Sequence, residues 1–180
     1  VSTDLNYRKK LWTKEEANKV MSEVCKYVDY CIANEEDAKD VFGIEAENTD
    51  IESGKLNREG YISVAKQLTE TFGFKGVAIT LRESISANDN KWSAMLYTNG
   101  EAYFSRKYDM HIVDRVGGGD SFMGGLIYGL LTYTDDDQKA LNFAVAASCL
   151  KHTICGDYNQ VTVAEVENLM KGDGSGRVSR

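Results

Sequence analysis

Three consecutive glycines set between two acids, Asp114-Arg115-Val116-Gly117-Gly118-Gly119-Asp120, constrain this chain more than any other stretch. A short strand, Met110 to Val113, leads into them, and Ser121 to Leu131 reads as a helix leading out. Glycine admits tight backbone turns and lets bare N–H groups approach a ligand. A helix start adds unpaired N–H groups and the positive end of the dipole. A carboxylate there is placed to take a proton beside a bound anion, an arrangement suited to phosphoryl transfer onto a hydroxyl. The plainer account is a glycine turn with Asp120 as an ordinary helix N-cap.

The surrounding pattern is α/β. Val1 to Leu5 reads as the end of a strand, and the absence of an initiator Met suggests a piece of a longer chain. Thr13 to about Tyr27 is a helix. Thr13 and Glu16 form a capping box, and Ala17, Val20, Met21, Val24 and Val28 recur at helical spacing. Tyr30 to Ala33 is a buried strand and Glu35 to Phe42 a short helix stopped by Gly43. Residues 44–57 read as loop. Arg58 to Phe72 is a helix with Ile62, Ala65, Leu68 and Phe72 on one side. Gly76 to Leu81 is a strand, and 82–91 a polar loop. Trp92 to Tyr97 and Glu101 to Ser105 flank the hairpin signal Asn99-Gly100. Asp135-Asp136-Asp137 can cap a helix over Gln138 to about Lys151, whose Ala144, Ala146, Ala147 and Ser148 permit close packing. Thr162 and Glu165 open a last helix ending near Met170, and 172–180 read as a loose tail. Strands alternating with helices imply a layered α/β fold.

Composition excludes several function classes. A net charge of −7 and a pI of about 4.9 argue against a broad nucleic-acid surface. No apolar run approaches the roughly 20 residues that span a bilayer, and no signal peptide is visible, so the cytoplasm is the expected compartment. Cys25, Cys31, Cys149 and Cys155 lack zinc-knuckle spacing and read as reduced, structural thiols. Proline is absent, leaving turns to Gly, Asn and Asp.

Two nucleotide fingerprints fail on the glycine run. No Lys-Ser/Thr follows the last glycine, as a P-loop requires, and Phe122 occupies the third glycine position of the dinucleotide pattern. What remains, Asp-x-x-Gly-Gly-Gly-Asp before a Gly-Gly-containing helix, resembles the signature of the ribokinase-like (PfkB) sugar kinases. There the middle position is usually Ala, and Gly118 looks a mild change. The resemblance implies that Asp120 is the catalytic base, that Gly117, Gly118 and Gly119 form the anion hole, and that Asp114 belongs to a monovalent-cation site, K⁺ for example. Asn34-Glu35-Glu36-Asp37 resembles the family's Asn-x-x-Glu motif, which organises Mg²⁺ and phosphate largely through water. Asp37 would then serve Mg²⁺ through water, and Asn34, Thr80 and Gly119 the nucleotide. Read alone, the same residues are a helix cap followed by acids at the dipole's positive end.

Asp4-Leu5-Asn6-Tyr7-Arg8, followed by Leu11-Trp12, is similar to a segment of the family's 2-keto-3-deoxygluconate kinase branch, where the Arg binds the sugar acid's carboxylate. A guanidinium matches a carboxylate with two parallel hydrogen bonds, which makes Arg8 the carboxylate candidate and Asn6 a weaker polar contact. The bland alternative is a surface basic cluster. His152-Thr153-Ile154-Cys155-Gly156-Asp157 resembles the family's Thr-x-Pro-Gly-Asp turn, with Cys155 in the Pro position, and the chain's end resembles its Gly-Arg-Val ending. Arg82-Glu83-Ser84 replaces a Gly-rich nucleotide loop and Val145 a frequent Asn, so base contacts depart from the family pattern.

The implied fold is a partial three-layer α/β/α ribokinase-like sandwich, its C-terminal half, with catalytic residues in 1–171 and a tail in 172–180. The implied activity is ATP- and Mg²⁺-dependent phosphorylation of the primary hydroxyl of a sugar acid, with little turnover by these residues alone. Alternatives are another sugar kinase of the family, such as a fructokinase, or a non-catalytic nucleotide-binding fragment. No nucleic acid or membrane partner is implied, and the full-length protein could form a homo-oligomer.

Overall fold

The computed structural model describes residues 1–34, 36–46 and 58–172. They fall into two compact units, one formed by Val1–Leu81 with Met95–Tyr103, the other by Arg82–Ala94 with the chain from Phe104 onward.

In the first unit, β1 (Ser2–Asp4), β2 (Tyr30–Ala33) and β3 (Gly76–Ser84) lie side by side. β1 pairs parallel with β2 (Ser2 beside Tyr30), and β2 parallel with β3 (Tyr30 beside Gly76). Parallel neighbours require a crossover, and helices supply both. α1 (Lys14–Val24) connects β1 to β2, while α2 (Asp37–Phe42) and α3 (Arg58–Phe72) lie between β2 and β3. Cys31, Ile32, Ala33, Val77, Ala78 and Ile79 are all buried, the continuous apolar run of strands covered on both faces.

The Thr13–Glu16 capping box forms as the sequence predicts: each residue's backbone N–H donates to the other's side chain, at 3.2 Å and 3.0 Å. The buried stripe of α1 is narrower than expected. Ala17 and Met21 are buried, but Val20 and Val24 are 46% and 43% exposed. Cys25 continues the buried stripe four residues after Met21, where the chain tightens into a 3₁₀ turn, Cys25–Tyr27. α2 starts at Asp37, later than the expected Glu35, and closes on Gly43 in the left-handed region as expected. On α3 the buried face is Tyr61, Val64, Ala65 and Leu68, rotated from the expected one. Phe72 instead joins Phe42 and Phe74 in a ring cluster.

β4 (Asp89–Thr98) and β5 (Glu101–Phe104) are joined by Asn99-Gly100, both at positive φ as a two-residue hairpin turn requires. The expected polar loop over 82–91 is largely strand. β3 continues to Ser84 and β4 begins at Asp89. The polar residues serve the turn between them: Ser86 Oγ accepts the N–H groups of Asn88 and Asp89 and donates to the Asp89 carboxylate.

In the second unit β6 (Tyr108–His111) pairs antiparallel with β4, Met110 opposite Asn90. The strand lies earlier than the expected 110–113 because Val113 leaves the ladder to bond elsewhere. α4 (Gly118–Thr132) and α5 (Asp137–Lys151) pack closely through small residues. A Cβ on Gly129 would stand 2.7 Å from the Ala140 Cα, and one on Gly125 3.0 Å from the Ala144 Cα. Of the three aspartates at the start of α5, Asp136 is the cap, accepting from Lys139 N–H at 2.8 Å, and Asp137 is the first helical residue. α6 (Val163–Lys171) carries the Thr162–Glu165 capping box and packs Val166 against Phe143, Ala146 and Ala147. Residue 35, most of the 44–57 loop and the Gly-Arg-Val ending lie outside the described residues.

Candidate active site

In the second unit the glycine run is held at both ends. Val113 and Asp114 donate their N–H groups to the His152 carbonyl at 2.8 Å and 3.2 Å. Asp114 is half-buried and receives two backbone donors, Val116 N–H on Oδ1 at 3.0 Å and Gly156 N–H on Oδ2 at 2.9 Å. Those bonds hold its carboxyl below the usual carboxylate range. They also join the glycine run to the Cys155-Gly156-Asp157 turn, two motifs well separated in sequence.

Gly117 is the N-cap of α4 at φ 76°, ψ 3°. A side chain is excluded there twice over: by the left-handed backbone, and because a Cβ would lie 1.4 Å from the Asp157 carbonyl oxygen. Ser121 N–H closes the first helical bond onto Gly117 O at 2.9 Å. Asp120 therefore sits inside the first turn, exposed, and is not the helix N-cap that the plainer sequence account required. Gly118 N–H turns back toward Arg115 O at 3.3 Å, while the next amides belong to the unpaired donors of a helix start.

A cleft of about 380 Å³ opens beside Asp120 and Gly117, continues along Ser121, Gly124 and Tyr128, and is walled opposite by the 157–163 segment. Asn159 fixes that wall. Its Nδ2 donates to Ser121 Oγ at 2.6 Å and to Ala147 O at 3.0 Å, and its Oδ1 accepts Val161 N–H at 3.1 Å. Asn159 does not stand out in the sequence, since a lone Asn after a turn motif carries no signal of its two distant partners, Ser121 and Ala147.

The first unit holds the other candidates. Asp37 is 5% exposed. Its Oδ1 accepts Tyr7 N–H and its Oδ2 Asn34 N–H, both at 3.1 Å. Burial pushes its carboxyl up, opposed by the amides of Asn34 and Tyr7 and by the charge of Arg8. Asn34 Oδ1 accepts Glu36 N–H at 2.8 Å and Asp37 N–H at 2.9 Å. The structure thus brings the Asn6–Arg8 segment and the Asn34–Asp37 motif together on one buried carboxylate. Arg8 is exposed, with Nη1 donating to Tyr7 O at 3.1 Å. Asn6 stands at φ 37° with its N–H on Asp4 Oδ1. Thr80 is half-buried, its hydroxyl 3.4 Å from Ala33 O.

The thiols are free, as expected. Cys25, Cys31 and Cys149 are buried and Cys155 is exposed. Burial pushes Cys25 and Cys149 up to about 11, which makes both inert. Among the described residues no group of three or more His, Cys, Asp or Glu could hold a metal ion, and no helix is long and apolar enough to cross a membrane.

The α/β scaffold thus presents Asp120 inside the first turn of a glycine-started helix, beside a cleft. The family model for pfkB family carbohydrate kinases matches residues 1–161, and the chain belongs to that family. A solved structure of 2-dehydro-3-deoxygluconokinase from Thermotoga maritima is 55% identical with a TM-score of 0.88, over 96% of this chain and 50% of that one. A PfkB family carbohydrate kinase from Listeria grayi is 33% identical with a TM-score of 0.80, over 94% of this chain and 49% of that one. The 2-dehydro-3-deoxygalactonokinase of Haloferax volcanii is 28% identical over 173 residues, 96% of this chain and 48% of its own length. The chain spans about half the length of these relatives, and its fold is correspondingly a partial ribokinase-like one.

Proposed function

We propose that this chain is the phosphoryl-transfer portion of a sugar-acid kinase, which moves the γ-phosphoryl group of ATP onto a primary hydroxyl of a 2-keto-3-deoxy sugar acid. The observation that carries the reading is the position of Asp120: exposed, in the first turn of a glycine-started helix, on the edge of a cleft. The names of the Thermotoga and Haloferax relatives support the substrate class.

Asp120 accepts the proton of the attacking hydroxyl. Backbone amides of the Gly117, Gly118 and Gly119 run stabilise the transferring phosphoryl oxygens, Gly118 N–H by leaving its 3.3 Å bond to Arg115 O, since catalysis of this reaction is mainly positioning and charge stabilisation. Bound Mg²⁺ supplies charge neutralisation on the phosphates. Asn34 and Asp37 are the residues assigned to its side of the site. Asp37 is buried with both oxygens already accepting amide hydrogens, which fits an organising role through Asn34 better than direct ligation. Arg8, exposed and with its Nη1 on Tyr7 O, takes the sugar carboxylate, with Asn6 near it in sequence. Thr80 serves the nucleotide. Asp114 faces backbone donors through both oxygens and is the residue assigned to a monovalent cation such as K⁺.

The test is Asp120→Asn in the full-length enzyme. Turnover of 2-keto-3-deoxygluconate should fall by at least about a hundredfold, in line with loss of a general base, while ATP binding is retained. Near-normal turnover sinks the assignment. Arg8→Ala should erase discrimination between acid and neutral sugars; unchanged sugar-acid affinity removes Arg8 from the pocket.

A further inference from the structure

Below the glycine turn, the last turn of α5 and its C-cap His152 touch both of its ends. The His152 carbonyl takes the N–H groups of Val113 and Asp114 where the run begins. Ser148 Oγ donates to the Gly118 carbonyl at 2.8 Å, a buried bond where the run enters α4. His152 and Ser148 are themselves joined, Nδ1 to the Ser148 carbonyl at 2.7 Å. A carbonyl only accepts, so Nδ1 carries the hydrogen and Nε2 the lone pair.

His152 is 0% exposed, and its Nε2 is buried without a hydrogen-bond partner among the described residues. Its Cε1–Nε2 edge lies directly against Gly118. A Cβ on Gly118 would stand 2.5 Å from Cε1 and 2.7 Å from Nε2. Trp92 packs on the same ring, centroids 5.4 Å apart. Burial, then the charges of Arg82, Lys151 and Arg115, hold the imidazole below its ordinary pKa of 6.5 and so neutral, against the opposing pull of the Ser148 bond. An alanine at 118 cannot enter while His152 keeps its place, so glycine there is not a mild replacement for it.

We propose that His152 is a positioning residue for the phosphoryl cradle: its ring, locked by Ser148, sets the height of Gly118 and with it the direction of the N–H groups that follow. The link to phosphoryl binding rests on the kinase reading; the mechanical coupling of residues 118 and 152 does not.

A double-mutant cycle on the chain with Gly118→Ala and His152→Asn tests this. Asn keeps an amide N–H where Nδ1 stands and removes the edge beneath Gly118. Gly118→Ala alone should lower Tm by roughly 3–10 °C, the range for overpacking a filled site in a domain of this size. In the His152→Asn background the same change should cost less than half as much. His152→Asn should also shift the backbone amide signals of Gly118 and Gly119 and weaken MgATP binding there by roughly tenfold. Equal Tm losses in both backgrounds, or amide signals at 117–119 untouched by His152→Asn, overturn the proposal. If His152→Asn does not fold, imidazole ¹⁵N shifts of the unaltered chain decide: a neutral ring with hydrogen on Nδ1 agrees, hydrogen on Nε2 alone refutes. If the unaltered chain shows no MgATP response at all, the kinase reading suffers, while the Tm cycle and ligand-free amide shifts still decide the brace.

Discussion

Asp37 looks, in sequence, like a shortened version of a family acid. In the structure its length is what the surroundings measure. Its two oxygens reach Tyr7 N–H and Asn34 N–H at equal distances from a buried position. Asp37→Asn puts an amide N–H₂ opposite one of those donors. It should cost about 1–3 kcal/mol, the usual loss when a buried partner is removed, read by urea unfolding; an unchanged midpoint would mean that the bracket contributes nothing. Gly117 is the sharper case. Gly117→Ala meets a φ of 76° and a carbonyl oxygen 1.4 Å from the new Cβ. The left-handed backbone alone costs about 1–2 kcal/mol, and the Asp157 loop must also move. Both a lower Tm and displaced amide signals at 156–158 are expected; a Tm loss without movement at Asp157 contradicts the clash.

Elements were legible where a cap or a period fixed them. The Thr13 and Thr162 boxes, the Asn99-Gly100 turn and the small-residue face of α5 all formed as their residues imply. The 82–91 segment misled because polar side chains there bond across a turn, as Ser86 does with Asp89, and local polarity does not distinguish that from a loop. The glycines of α4 cannot be sorted by sequence at all, yet the packing separates them. Gly124 has open space around its missing Cβ, whereas Gly129 faces Ala140 at 2.7 Å. Gly124→Ala should therefore gain roughly 0.5–1 kcal/mol from helix propensity. Gly129→Ala should lose roughly 1–3 kcal/mol by forcing α4 and α5 apart. Opposite signs in paired thermal melts are the expected result, and two losses of equal size would refute the packing account.

At the scale of the molecule, the candidate groups were readable as motifs, but their supports were not. Asp120, Arg8 and Asn34 stand out by type and spacing; His152, Ser148 and Asn159 matter only through partners that folding brings near. His152 also gives the molecule a pH signature distinct from that of its acids. Its folded pKa lies below the ordinary 6.5 because burial disfavours the charged ring. Between those two values the unfolded chain binds more protons than the folded one, so stability is complete above about pH 6.5 and declines as pH falls through the folded value. Carboxylates held below 3.8, Asp89 and Asp114 among them, act only at lower pH, where stability present above their unfolded pKa is lost as pH falls through their folded ones. His152→Asn removes the upper window and leaves the lower. Urea midpoints measured from pH 8 to pH 4 should slope downward below about pH 6.5 in the unaltered chain and lose that fall in the variant, where Asp37, its carboxyl pushed up by burial, acts with the opposite sign. An identical slope in both proteins would assign the dependence to other groups and return His152 to an ordinary core residue.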